Sequence, residues 1–192
     1  VPSAMGLIEW VLDPASIGRR ASIAGWFQVG LPFLGGLAVM GGLLFDALPL
    51  IMLSLPLEVV GTAIFVVRVV PRFGLAHWLE AGPARHAAIA VPFLVFNLGL
   101  FIYLVANYSE NIEAAPTPLF LAIDHSIFVG VLTNTILGLI MRTVPGRRPA
   151  WVDHFVFVAV VVGVAGFLCG LLLEEHAIIR IATPLLGAGI LT

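Results

Sequence analysis

The chain has 192 residues, 60% hydrophobic and 10% charged, with a mean hydropathy of +1.11 and a formal net charge of −2. Soluble domains carry about 25% charged residues, so this composition excludes an ordinary soluble protein and points to an integral membrane protein. Lysine is absent and no basic run could track phosphates, which excludes nucleic acid as a partner, while the single Cys169 excludes an internal disulfide and a multi-cysteine metal site.

Residues 1–20 read as an N-terminal interfacial segment. Within it, residues 3–12 suit a short amphipathic helix stopped by Asp13-Pro14, too short to span and expected to lie on the bilayer surface. No basic stretch precedes an apolar run there, so no signal peptide is expected. Residues 21–192 read as a single transmembrane domain without an internal repeat. About 20 residues at a 1.5 Å rise cross the hydrocarbon core. On that measure spans are expected over residues 22–44, 48–70, 86–107, 118–141 and 151–173, with a shorter sixth run at 177–192. The fold class is therefore an all-α bundle of five to six transmembrane helices.

Glycines crowd two of these spans: Gly25, Gly30, Gly35, Gly36, Gly41 and Gly42 on the first, and Gly163, Gly166 and Gly170 on the fifth. Small residues let helix backbones approach closely, and these faces are expected to receive other membrane subunits, the bilayer being the remaining partner. Of nine arginines, Arg19, Arg20, Arg68, Arg72, Arg85, Arg142, Arg147 and Arg148 fall at one end of the spans. Only Arg180 falls at the other, beside Glu110, Glu113, Glu174 and Glu175. The positive-inside rule then puts the N-terminus in the cytoplasm, and the expected location is a prokaryotic plasma (inner) membrane.

Ionisable groups inside a span need partners and often mark function. His125 lies about 10 Å below the outer end of the fourth span, among Phe128, Val129, Leu132, Ile136 and Leu139 on a helical wheel. Imidazole is a common axial ligand of haem, and bundles gather ligands from facing helices. His125 is thus the first candidate to bind haem b, with His176 its metal-binding partner by depth and Arg180 placed to meet a propionate. His86 and His154 open the third and fifth spans at the opposite end, and suit either a second haem site or interfacial positions near headgroups.

Glu58 and Asn97 lie at similar depth near the midplane, Asp124 is shallower, and Asn134 sits in a Thr-Asn-Thr cluster. These four are candidates for a proton relay, or for hydrogen bonds that join helices. Pro56 frees a backbone carbonyl beside Glu58.

The stretch DHSIFVGVLTNTILGLIMR, residues 124–142, resembles a helix of the NnrS family and of the broader haem-copper oxidase subunit I group. The resemblance implies a polytopic membrane haem protein in which His125 ligates or adjoins haem and Arg142 closes the helix. The function expected is a haem b-binding membrane subunit for electron transfer or gas response. Two readings compete with it: a non-catalytic structural subunit of a larger membrane complex, and a small proton-linked transporter.

Overall fold

A computed structural model describes residues 1–16, 22–144 and 149–192. Among them the regular structure is entirely helical. We number the helices α1 (Pro2–Leu12), α2 (Ile23–Leu44), α3 (Leu48–Val69), α4 (Pro83–Tyr108), α5 (Thr117–Thr143), α6 (Ala150–Leu172) and α7 (His176–Leu191). Helices α2 to α6 are each long and apolar enough to cross a membrane, and α7 is shorter. The chain is an all-α membrane bundle. Helix starts follow local chemistry: Ser22 Oγ accepts the Gly25 amide at 3.1 Å to cap α2, and Pro83 opens α4, where no intrahelical N–H bond is lost. Arg19, Arg20, Arg147 and Arg148, four of the arginines that set the expected orientation, lie outside the described residues.

Two helical hairpins dominate the packing, α2 with α3 and α6 with α7. They share one design, which the sequence reading of a domain without a repeat missed. Gly35, Gly42, Ile51, Pro56 and Gly61 recur at a constant offset of 128 residues as Gly163, Gly170, Ile179, Pro184 and Gly189. Each hairpin turns on a residue in the left-handed region, Asp46 (φ 51°) and Glu174 (φ 57°). The next amide closes back onto the paired glycine, Ala47 N–H to Gly42 O at 2.8 Å and Glu175 N–H to Gly170 O at 2.9 Å. This is the Schellman closure of a helix end. A Cβ at Gly42 would lie 2.9 Å from the Ile51 amide nitrogen, and one at Gly170 would lie 3.0 Å from that of Ile179. The glycines expected to face other subunits are therefore largely consumed inside the chain. Gly25, Gly35 and Gly42 meet α3, and Gly163, Gly166 and Gly170 meet α7, while Gly30 and Gly36 face open space.

Helix α1 does not lie on the surface. Met5, Ile8 and Val11 are fully buried, packed with α2, α4 and the C-terminal part of α5. Its polar groups are clasped by arginines of the end expected to face the cytoplasm. Glu9 pairs with Arg68 at 3.2 Å and Arg72 at 3.1 Å, and Arg142 donates to the Val11 carbonyl at 2.9 Å. Gln28, also buried, accepts from Arg68 at 2.6 Å and reaches Glu9 at 3.4 Å. An amphipathic helix hides its apolar face wherever a partner exists. Here the partner is the bundle, so the expectation of an interfacial segment over residues 1–20 is corrected for α1.

Helix α5 is not uniformly α. Residues Ser126–Thr133 form a π-helical segment between α-helical Thr117–His125 and Asn134–Thr143. Wider turns leave carbonyls poorly placed for the ladder, and side chains reach them. Asn134 Nδ2 donates to Gly130 O at 3.0 Å, Thr135 Oγ1 to Val131 O at 2.7 Å and Thr133 Oγ1 to Phe128 O at 3.0 Å. A Cβ at Gly130 would lie 2.7 Å from the Phe93 ring, so glycine is what lets α4 close on this segment. Such π-segments occur often beside functional sites.

Candidate functional site

Four helices, α2 to α5, converge on an open cleft of about 220 Å³. Glu58, halfway along α3, lines it together with Thr62, Asn97 and Gly36, and Val1 stands at its edge. The two groups that the sequence placed at equal depth thus share one space. Asn97 is oriented by α5: its Nδ2 donates to Ile123 O and to Ser126 Oγ, both at 2.7 Å, where α-helix gives way to π. Both amide hydrogens are spent there, so its free polar atom is the acceptor Oδ1. No hydrogen bond from the described residues reaches the Glu58 carboxyl. Thr62 is 2% exposed, an internal hydroxyl beside that carboxyl that the sequence reading missed. The other relay candidates lie elsewhere: Asp124 is exposed, and Asn134 belongs to a second cluster.

That cluster surrounds His86 and Arg85, 0% and 1% exposed. Asn134 gives its amide N–H to Gly130 O, so its Oδ1 faces His86 Nδ1 at 3.2 Å and accepts a hydrogen bond from it. Imidazole Nε2 of His86 is left a bare lone pair, buried and without a hydrogen-bond partner among the described residues. Arg85 donates to His154 Nδ1 at 2.8 Å and to Asp153 O at 2.6 Å, its guanidinium lies 4.5 Å from the Phe157 ring centroid, and its Nε has no hydrogen-bond partner among the described residues. Arginine can only donate, so Nδ1 of His154 must accept, and the proton of that neutral ring sits on Nε2. His154 is therefore an orienting group here, not a ligand with a free Nε2 lone pair. His86 and His154 are joined through Arg85 and Phe157, with no direct bond between them. The sequence signal for this cluster was present: Arg85-His86 and Asp153-His154 are adjacent charged and imidazole pairs at the same end of two spans.

His125 is half-buried on the other face of α5. Its Nδ1 donates to Leu121 O at 2.8 Å, and its ring rests on Phe167 with centroids 4.7 Å apart. His176 and Arg180 are exposed near the start of α7, and no hydrogen bond or ring contact joins either to His125 among the described residues. No group of three or more His, Cys, Asp or Glu side chains suited to a metal ion occurs among the described residues. The fold and the cleft define the class: a helical membrane bundle with an intramembrane carboxyl group. No known family signature, characterised protein or solved structure matches this chain. The resemblance of residues 124–142 to NnrS-like proteins gains no support from that comparison.

Proposed function

We propose that the chain is a small proton-linked membrane transporter in which Glu58 takes up and releases the proton. One observation carries this reading: a carboxyl group midway along a spanning helix opens into a cleft where no hydrogen bond from the described residues reaches it and the Val1 α-amino group faces it from the edge without bonding to it. An ionised carboxylate in hydrocarbon is costly, so it must be met by a proton or by a cationic ligand. Asn97 and Thr62 supply the neighbouring polar groups through which a proton reaches or leaves it. The arginine-rich end faces the cytoplasm in this reading, and the membrane is a prokaryotic plasma membrane. The experiment is infrared spectroscopy of reconstituted protein across a pH titration. A carboxyl C=O band that comes and goes with pH, and vanishes in Glu58→Gln, is expected; no titrating carboxyl band would refute proton exchange at this residue.

Haem binding is a second reading, favoured by the hydrogen bond from His125 Nδ1 to Leu121 O. Metal-bound imidazoles almost always commit their other nitrogen in this way, and Phe128 and Phe167 give the apolar surroundings that a macrocycle suits. His125 would hold the iron alone within this chain, and a haem so held supplies an axial position for a diatomic gas. The outcome expected is a haem spectrum lost in His125→Ala and unchanged in His176→Ala. Purified protein without a haem absorption band would end this reading.

A further inference from the structure

The two hairpins provide an internal control for the cleft. At the offset that matches their glycines and prolines, the cleft-lining residues Gly36, Val39, Glu58 and Thr62 correspond to Val164, Phe167, Leu186 and Ile190. Every one of the four is smaller or more polar in the first hairpin. The packing contact itself is the same in both: Gly35 receives Glu58, and Gly163 receives Leu186. Leucine therefore satisfies this helix crossing, and the carboxyl group is not there to join α2 to α3. Val164 is 0% exposed, whereas a Cβ at Gly36 would meet nothing within 4 Å. The first hairpin is the common hairpin hollowed out and given a charge.

We propose that the cleft binds a small organic ammonium ion with an apolar body. This rests on the reading of Glu58 as an exchanging carboxyl group and names what exchanges with its proton. Apart from the Val1 α-amino group at the edge of the cleft, which faces Glu58 with opposite charge, the polar atoms available can all accept: the Glu58 carboxylate, Asn97 Oδ1 and the Thr62 hydroxyl. A primary ammonium brings three donors and no acceptor, which matches them. A divalent metal cation fits poorly, because calcium takes six to eight oxygens and magnesium an octahedral set, while the remaining walls are Val39, Leu94, Leu98, Phe101 and Ile123. Those walls suit a hydrocarbon body, and the Phe101 ring suits a cation held near its face. Size points the same way. An engineered cavity of about 150 Å³ holds benzene, so about 220 Å³ leaves room for an aromatic ring and a short aminoalkyl chain. A lipid headgroup ammonium is excluded by depth, since Glu58 lies halfway along its helix.

The test is calorimetric titration of purified protein in lipid nanodiscs with 2-phenylethylammonium, and with 2-phenylethanol as the uncharged control of the same shape. Saturable binding of the ammonium is expected, at least about tenfold tighter than the alcohol, and weaker as the pH falls because proton and ammonium compete for one carboxylate. Gly36→Val fills the cleft without touching the carboxyl group and should abolish binding. Glu58→Leu, which copies the second hairpin, should fold with an unchanged melting temperature and bind nothing. Equal binding of ammonium and alcohol, no binding of either, or full binding by Gly36→Val would overturn the proposal. So would a Glu58→Leu chain that fails to fold, since the carboxyl group would then be a packing requirement. A titrating infrared band combined with no ammonium binding would refute the ligand class and leave proton exchange standing.

Discussion

The hairpins α2–α3 and α6–α7 show what a bundle keeps and what it is free to change. Kept are the glycines at the crossing, the left-handed residue at the turn and the proline in the second helix of each pair. Each of these is fixed by backbone geometry: a Cβ at the crossing collides with backbone, and proline removes an amide that the ladder would use. Changed are the side chains around the crossing whose identity the backbone geometry does not fix. The second hairpin fills those positions with valine, phenylalanine, leucine and isoleucine, and the first uses them for a carboxyl group, a hydroxyl and a void. The contrast separates scaffold from chemistry without any second protein for comparison.

The largest effect that could break this equivalence is at the paired glycines. Gly42→Ala and Gly170→Ala each bring a Cβ to about 3 Å from a backbone nitrogen of the facing helix, which cannot swing aside as a flexible side chain can. Overpacking of this kind costs about 1–3 kcal/mol, and both should sit at the upper end. Thermal unfolding in detergent should show two similar losses. A silent Gly170→Ala beside a damaging Gly42→Ala would mean that the hairpins are not built alike.

Helix number and span limits were legible in the sequence because about 20 apolar residues in a row have few alternatives. The expected span 48–70 is observed as Leu48–Val69, and the expected 151–173 as Ala150–Leu172. The shared depth of Glu58 and Asn97 was legible for the same reason, depth being a count along a helix. What could not be read depends on contacts distant in sequence. Glu9 is held by Arg68 and Arg72, and Val11 by Arg142, so the amphipathic pattern of α1 could not say whether its partner was lipid or protein. The burial of His86 is of the same kind: its ring is covered by Asn134 of α5 and Phe157 of α6, both distant in sequence. A position that hydropathy assigns to a wet boundary is thereby covered. The π-segment was also invisible, since it replaces the constant turn angle on which a helical wheel depends. The repeat is faint in the sequence because its two copies agree at the positions that geometry fixes and at few others.

The smallest effect that would sharpen the comparison lies in the two turns. Asp46 and Glu174 both hold positive φ, 51° and 57°, in the same Schellman closure. A left-handed conformation costs an L-residue roughly 1–2 kcal/mol, from which glycine is exempt. Glycine in turn loses more freedom on folding, by about 0.5–1 kcal/mol relative to alanine. The net gain from glycine at either turn is therefore small, about 0.5 kcal/mol. It should not be equal at the two sites. Aspartate is several-fold enriched in this region because its short side chain bonds locally to the backbone, whereas glutamate has no such compensation. Glu174→Gly should therefore raise the melting temperature measurably, and Asp46→Gly should raise it less or leave it unchanged. The reverse order would show that Glu174 is held by something other than the turn, and that the second hairpin carries a polar role of its own.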